Sequence, residues 1–188
     1  MNTYSEIKRN NNKNLTSKNS FQTKRLFLRP VTVEDAPFIL ELMNTPKWIE
    51  FIGDRDVHSV SDAKAYIKEK AYPQLEKFSY GSNMIIRKED QTKLGTCGLY
   101  HREGKKDPDI GFAFLPDYEG KGYAFEASSQ LMTLAKKDYG LNELSAYTLE
   151  TNTASRKLLE RLGFSLNGIG KLPNNDEELL QYHRLLDF

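Results

Sequence analysis

Large and small residues alternate with period two in Asp109-Ile110-Gly111-Phe112-Ala113-Phe114-Leu115, which predicts a strand. Immediately afterwards Glu119-Gly120-Lys121-Gly122-Tyr123-Ala124 breaks the pattern, and from Glu126 to Lys137 apolar positions recur at helical spacing. Strand, glycine turn and helix in that order aim several backbone N–H groups and the positive end of a helix dipole at one point, a site suited to phosphate oxygens. Gly120 and Gly122 permit positive φ and let a ligand approach the backbone with no Cβ in the way. The usual nucleotide loops are excluded. The chain has no G-x-x-x-x-G-K-[ST] run and no G-x-G-x-x-G followed by a ribose-binding acid.

The same periodicities order the rest of the chain. Arg25 to Arg29 reads as a strand ended by Pro30, and Thr32-Val33-Glu34-Asp35 has the shape of a capping box opening a helix to Met43. Its apolar stripe is Ile39, Leu40 and Met43. Thr45 to His58 reads as a loop carrying Trp48, Phe51 and Ile52, and Ser61-Asp62-Ala63 starts a helix running to about Lys77. Asn83 to Arg87 and Lys93 to Arg102 are predicted to pair across the Lys88-Glu89-Asp90-Gln91 turn, and Gly104 to Asp107 forms the next turn. The helix ending at Lys137 has a basic last turn with Gly140 just beyond it. Leu144 to Leu149 is then a strand parallel to the Asp109 strand, because a helix crosses between them. Asn152 to Leu162 is a helix with a Gly163-Phe164 stop. Phe164 to Gly168 and Leu179 to Leu186 are the last strands, joined through Pro173-Asn174-Asn175-Asp176. The expectation is one α/β domain over residues 21–188, a mixed sheet with helices on both faces.

Residues 1–20 are rich in Asn and Lys with no apolar run, which predicts a disordered arm and not a signal peptide. A chain of 188 residues suits one domain with a continuous core. A formal charge of +1 gives no field that would draw nucleic acid or a membrane surface. No apolar run approaches the ~20 residues that cross a bilayer. Cys97 is the single cysteine, so an intramolecular disulfide is impossible and a cytoplasmic, reducing location is expected.

The glycine loop and the Asn152-Thr153-Ala154-Ser155-Arg156-Lys157-Leu158-Leu159-Glu160-Arg161-Leu162-Gly163-Phe164 helix together resemble the GCN5-related N-acetyltransferase (GNAT) superfamily. In its Q/R-x-x-G-x-G/A coenzyme loop, Gly122 and Ala124 fill the small positions, while Glu119 stands where Gln or Arg is usual. Arg25-Leu26-Phe27-Leu28-Arg29-Pro30 and Gly120-Lys121-Gly122-Tyr123-Ala124-Phe125-Glu126-Ala127 are similar to the ribosomal-protein N-terminal acetyltransferase-like group. The likeness runs from about Phe21 to the C-terminus.

The resemblance implies a sheet whose central parallel strands splay apart, with acetyl-CoA as co-substrate and no metal. Glu119, Gly120, Lys121, Gly122, Tyr123 and Ala124 would cradle the diphosphate. Phe112, Phe114 and Leu115 lie on the strand whose backbone would pair with the pantetheine arm and face the oxyanion. Gly111 and Ala113 leave one strand face open. Asn152 would meet the pantetheine amides, although it is equally a good helix cap. Ser155 would lie near the sulfur, as binding residue and as candidate general acid, because Leu159 occupies the position where many relatives carry a tyrosine. Asp109 is the first candidate base, with His101 and Glu103 in reserve; as a plain surface acid it would need no role. Cys97 reads as core, Lys121 as a phosphate ligand, and Arg156 and Lys157 as phosphate ligands or solvated helix-face charges. Trp48, Phe51 and Ile52 read as acceptor-site wall or core.

The implied reaction is acetyl transfer to a primary amine, a small molecule or a protein N-terminus, by direct attack in a ternary complex. The rivals are a longer-chain acyltransferase and a catalytically silent acyl-CoA-binding module. Neither the acceptor nor a homodimeric state can be read from the residues.

Overall fold

The computed structural model describes residues 19–173 and 176–188. The expected arm therefore lies outside the described residues up to position 18, as do Asn174 and Asn175 of the last turn. Among the described residues, eight strands form one sheet: β1 (Phe21–Gln22), β2 (Leu26–Pro30), β3 (Ser82–Arg87), β4 (Lys93–Tyr100), β5 (Asp109–Phe114), β6 (Glu143–Thr148), β7 (Ser165–Gly170) and β8 (Leu179–Leu185). Their order is β1-β2-β3-β4-β5-β6-β8-β7. All neighbours are antiparallel except β5 and β6, whose ladder is limited to the pair Asp109↔Ser145.

The helices are α1 (Ala36–Met43), α2 (Pro46–Phe51), α3 (Val60–Tyr66), α4 (Tyr72–Phe78), α5 (Tyr123–Lys137) and α6 (Thr153–Arg161). They cover both faces of the sheet, as the alternation of apolar residues requires. One core joins Leu26, Leu28, Ile85, Cys97, Leu99, Ile110 and Phe114 to Ala127 and Leu131 of α5 and Leu159 of α6. The other joins Met84 and Ile86 to Ile39 and Leu42 of α1 and Ala63 of α3. Successive strand residues thus feed opposite layers, which is the period-two rule expressed as packing.

Several boundaries differ from the sequence-based reading; β4, for example, ends at Tyr100 and not Arg102. Residues expected in a loop form α2, because the Thr45 hydroxyl accepts from the Trp48 amide at 3.3 Å and Pro46 occupies the first turn. The second long helix begins at Val60, capped by Ser59, and passes through a π-helical turn at Ile67–Ala71 between α3 and α4. The helix expected from Glu126 begins at Tyr123, directly after the second loop glycine.

Asp35 fixes α1 to the sheet. Its fully buried carboxylate accepts from Arg29 of β2 at 2.7 and 2.8 Å, from the Thr32 amide at 2.9 Å and from Lys93 of β4 at 2.7 Å. Burial pushes this carboxyl upward, but the Arg29 and Lys93 hydrogen bonds outweigh it and hold it below the ordinary aspartate value.

Candidate active site

The site is built where β5 and β6 part. Beyond Asp109↔Ser145, and the Ser145 N–H donated to the Pro108 carbonyl at 3.0 Å, the two strands separate toward their carboxyl ends. β5 leads through a 3-10 turn at Pro116–Tyr118 into the glycine loop and α5, and β6 leads into α6. Both helix starts therefore stand at the carboxyl edge of adjacent parallel strands, where α/β sheets open a crevice.

Gly120 and Gly122 have φ of +70° and +79°, left-handed conformations that L side chains resist. Gly122 is the residue before α5 and no side chain caps that helix. The first amides of α5 are therefore left as unfilled donors at the positive end of the dipole. Arg25 braces this loop, its guanidinium 3.4 Å from where a Cβ on Gly122 would stand. Its guanidinium lies 4.4 Å from the centroid of the Tyr123 ring, donates to the Lys121 carbonyl at 3.1 Å and binds Glu126 at 2.6 Å. Glu126 also accepts from the Thr23 hydroxyl at 2.6 Å and the Arg25 amide at 2.8 Å. Burial pushes Glu126 upward, but these bonds outweigh it and hold the carboxyl low. Glu119 is ion-paired with Lys47 of α2.

At the other end of β5, roughly 20 Å from Leu115 along the strand, Asp109 is buried with a relative exposure of 4%. Arg102 binds it in a bidentate pair at 2.5 and 3.0 Å. Burial raises the Asp109 carboxyl above its ordinary value, and Arg102 opposes that rise without cancelling it. On the same face Tyr100, opposite Asp109 in register, lies over the facing glycines Gly98 and Gly111. A Cβ at Gly111 would stand 3.1 Å from its ring, and one at Gly98 would stand 2.8 Å from its hydroxyl oxygen. Glycine is required at these positions for close approach, not for turning. Burial pushes both the Tyr100 and Tyr66 hydroxyls upward, so neither is an anion near neutral pH.

The reserve candidates are less well placed. The His101 ring packs at a tilt on Phe78, centroids 4.5 Å apart, and its backbone is bonded to Gln74, while Glu103 is exposed in the following turn. Asn152 caps α6, its side-chain oxygen accepting from the Ser155 amide at 3.0 Å. Ser155 is half-buried beside that cap, and Leu159 is a core residue. Arg156 donates to the Glu150 carbonyl at 3.1 Å, whereas Lys157 is exposed. Cys97 is fully buried, with Sγ 3.5 Å from the Ser128 hydroxyl, and burial pushes its thiol up to about 12. Trp48 packs against the α1-side core together with Ala113 and Leu115.

Two groups of potential metal ligands occur among the described residues: Asp54, Asp56 and His58, all exposed, and Asp107, Glu143 and His183. In the second, Glu143 already pairs with Lys106 at 2.6 Å and His183 at 2.9 Å. Neither group includes a residue of the loop, the cap or the Asp109 pair.

The loop, the α6 cap and the splayed strands are thus brought to one edge, with Asp109 at the base of the splay. Sequence reasoning missed Thr23, Glu126, Lys47 and Arg102 as partners. Arg25 and Glu126 carried a signal only as members of the two recognised runs, not as a pair.

Comparison with known proteins agrees with this arrangement. Residues 25–165 match the family described as acetyltransferase (GNAT) domain. The chain is 28% identical over 163 residues to an uncharacterised N-acetyltransferase, YnaD, of Bacillus subtilis, covering 86% of this chain and 92% of that protein. An acetyltransferase from Agrobacterium tumefaciens superposes with a TM-score of 0.74 at 25% identity, over 88% of this chain and 93% of that one. The ribosomal-protein-S5-alanine acetyltransferase of Vibrio fischeri shares the fold at a TM-score of 0.73 and 20% identity, over 89% and 97%.

Proposed function

The chain belongs to the GNAT acetyltransferase family, and from that premise we propose that it moves an acetyl group from acetyl-CoA to a primary amine within a ternary complex. The observation that carries the reading is the parting of β5 from β6 with an uncapped, glycine-led helix start at the open end. The unfilled amides after Gly122 and the positive end of the α5 dipole fit a diphosphate. The strand backbone from Phe112 to Leu115 fits an extended arm lying in the gap as an added strand. Bound there, acetyl-CoA supplies an activated thioester carbonyl.

Each remaining step falls to residues of the chain. Asp109 takes the proton of the acceptor ammonium, directly or through water, and its burial raises its basicity for the task. Arg102 opposes that rise and fixes the carboxylate in place. The neutral amine then attacks the carbonyl carbon, an N–C bond forms and the C–S bond breaks. The Ser155 hydroxyl, beside the α6 cap, relays to the departing thiolate the second proton that the amine nitrogen loses as the amide forms. Cys97, buried and with its thiol pushed to about 12, is unsuited to carry an acetyl group.

The acceptor is proposed only as a class, a primary amine of a small molecule or a protein N-terminus, since the neighbours include a ribosomal-protein acetyltransferase. A cytoplasmic location is proposed with it; no described helix is long and apolar enough to cross a membrane. A second reading, a coenzyme-binding module without turnover, is favoured by Leu159, a core residue where many relatives carry a tyrosine.

Thermal denaturation with acetyl-CoA tests the coenzyme half of the proposal. Wild-type protein should be stabilised and a folded Gly122→Glu variant should not, because a φ of +79° resists any L side chain and the added side chain would start 3.4 Å from the Arg25 guanidinium and pull the loop from its shape. Equal stabilisation of the two would place the coenzyme elsewhere.

A further inference from the structure

α2 reaches both halves of the candidate site. Its Lys47 is ion-paired with Glu119 of the glycine loop, while the adjacent Trp48 packs in the core that also receives Ala113 and Leu115 of the splayed strand. The Trp48 indole N–H is shut off from solvent and has no acceptor among the described residues. A buried donor without a partner is unfavourable, so this position of α2 is held by its other contacts and loses no indole hydrogen bond on moving. Lys47 and Glu119 keep 53% and 33% of their side chains exposed, so their pair is weak and readily exchanged. Glu119 moreover places a negative charge beside a loop whose amides and dipole call for an anion.

We propose that Lys47 is a coenzyme-binding residue held in reserve by Glu119. The diphosphate takes its ammonium from the carboxylate, and α2 moves with it and sets Trp48 at the acceptor side of the cleft. The inference rests on the reading of the glycine loop as a diphosphate cradle. The lysine suits the role, since a compact ammonium with three donors is a point charge that either anion can hold, and the short α2 that carries it can follow. Coenzyme binding would then precede and favour acceptor binding, with α2 as the connection.

Trp48 is the chain's single tryptophan, so its fluorescence reports on α2 alone. The experiment titrates the full-length protein with acetyl-CoA at low salt without amine, following Trp48 emission and, separately, heat stability. Wild-type emission should change saturably. Lys47→Met should bind about threefold to tenfold more weakly and lose the emission change. Glu119→Gln, which removes the competing carboxylate, should bind about threefold more tightly. The differences should shrink in 0.5 M NaCl. An emission change that persists in Lys47→Met at wild-type affinity overturns the proposal, as does weaker binding by Glu119→Gln. Heat stabilisation with silent wild-type emission overturns the inference but leaves the coenzyme reading intact. A wild type showing neither response overturns both.

Discussion

Replacing either member of the Arg102–Asp109 pair separates a catalytic from a structural role for Asp109. The pair is bidentate at 2.5 and 3.0 Å, with 5% of the Asp109 side chain exposed and 33% of that of Arg102. Asp109→Asn keeps the shape and removes the charge, leaving the guanidinium without its counter-ion. Breaking a buried pair costs about 3–5 kcal/mol, and the partial exposure of Arg102 brings the expected loss to about 2–3 kcal/mol. Turnover near neutral pH should fall by about 10²–10³-fold, the range for losing a general base. High pH should restore much of it, since more of the amine then arrives neutral. Arg102→Leu gives the opposite test. Burial is then opposed only by the Asp109 backbone amide and the Lys105 charge, the proton is held to higher pH, and the acid limb of kcat/KM must move upward while the alkaline plateau remains. The assay is thiol release against pH from 5 to 9, with each variant's melting curve measured alongside. Near-wild-type turnover by folded Asp109→Asn across that range would refute the reasoning. So would an acid limb that stays in place in Arg102→Leu.

Cys97→Ser should retain ternary-complex kinetics, and intact-mass analysis of wild-type protein incubated with acetyl-CoA alone should detect no acetylated enzyme; an adduct lost in the variant would contradict this. Asp35→Asn should lower stability by about 3 kcal/mol, near the bottom of the range for a broken buried network because Arg29 and Lys93 keep 24% and 33% of their side chains exposed. The folded Asp35 carboxyl titrates below its unfolded value. Its contribution is therefore complete above about pH 4 and is lost as pH falls through the folded value. Urea denaturation at pH 7 and pH 3 should accordingly show a smaller gap between wild type and variant at the lower pH. Glu126→Gln should weaken acetyl-CoA binding without abolishing it, because Arg25 and Thr23 lose the carboxylate that steadies the loop; calorimetric affinity equal to wild type would show that the loop keeps its shape unaided.

What could be read from the sequence was local. The alternation from Asp109 to Phe114, the two loop glycines and the Asn152 cap each state their structure through a period or a backbone need, and β5, the loop and α6 appear where those signals lie. α2 was read as loop because its six residues are too short for helical periodicity to show, although Thr45-Pro46 was a usable cap signal. The two-residue β1 is likewise below the length at which alternation is visible. The charge pairs were not legible for another reason. Lys47 meets Glu119 and Arg25 meets Glu126 across long sequence separations, and Arg102 meets Asp109 only once the β4–β5 register is fixed. Charge is abundant at 28% of residues, so residue type alone cannot name the partner. The electrostatic setting of Asp109, which governs its fitness as a base, therefore depends on tertiary structure.

The central claim is acetyl transfer, and mass spectrometry of an amine and peptide panel incubated with the protein and acetyl-CoA tests it most directly. The account predicts at least one acceptor gaining a single acetyl group on its amine, with one equivalent of free CoA thiol released and both lost in a folded Gly122→Glu variant. Acetyl-CoA bound by the wild-type protein with no thiol released and no acceptor acetylated would contradict it and leave the silent coenzyme-binding module in its place.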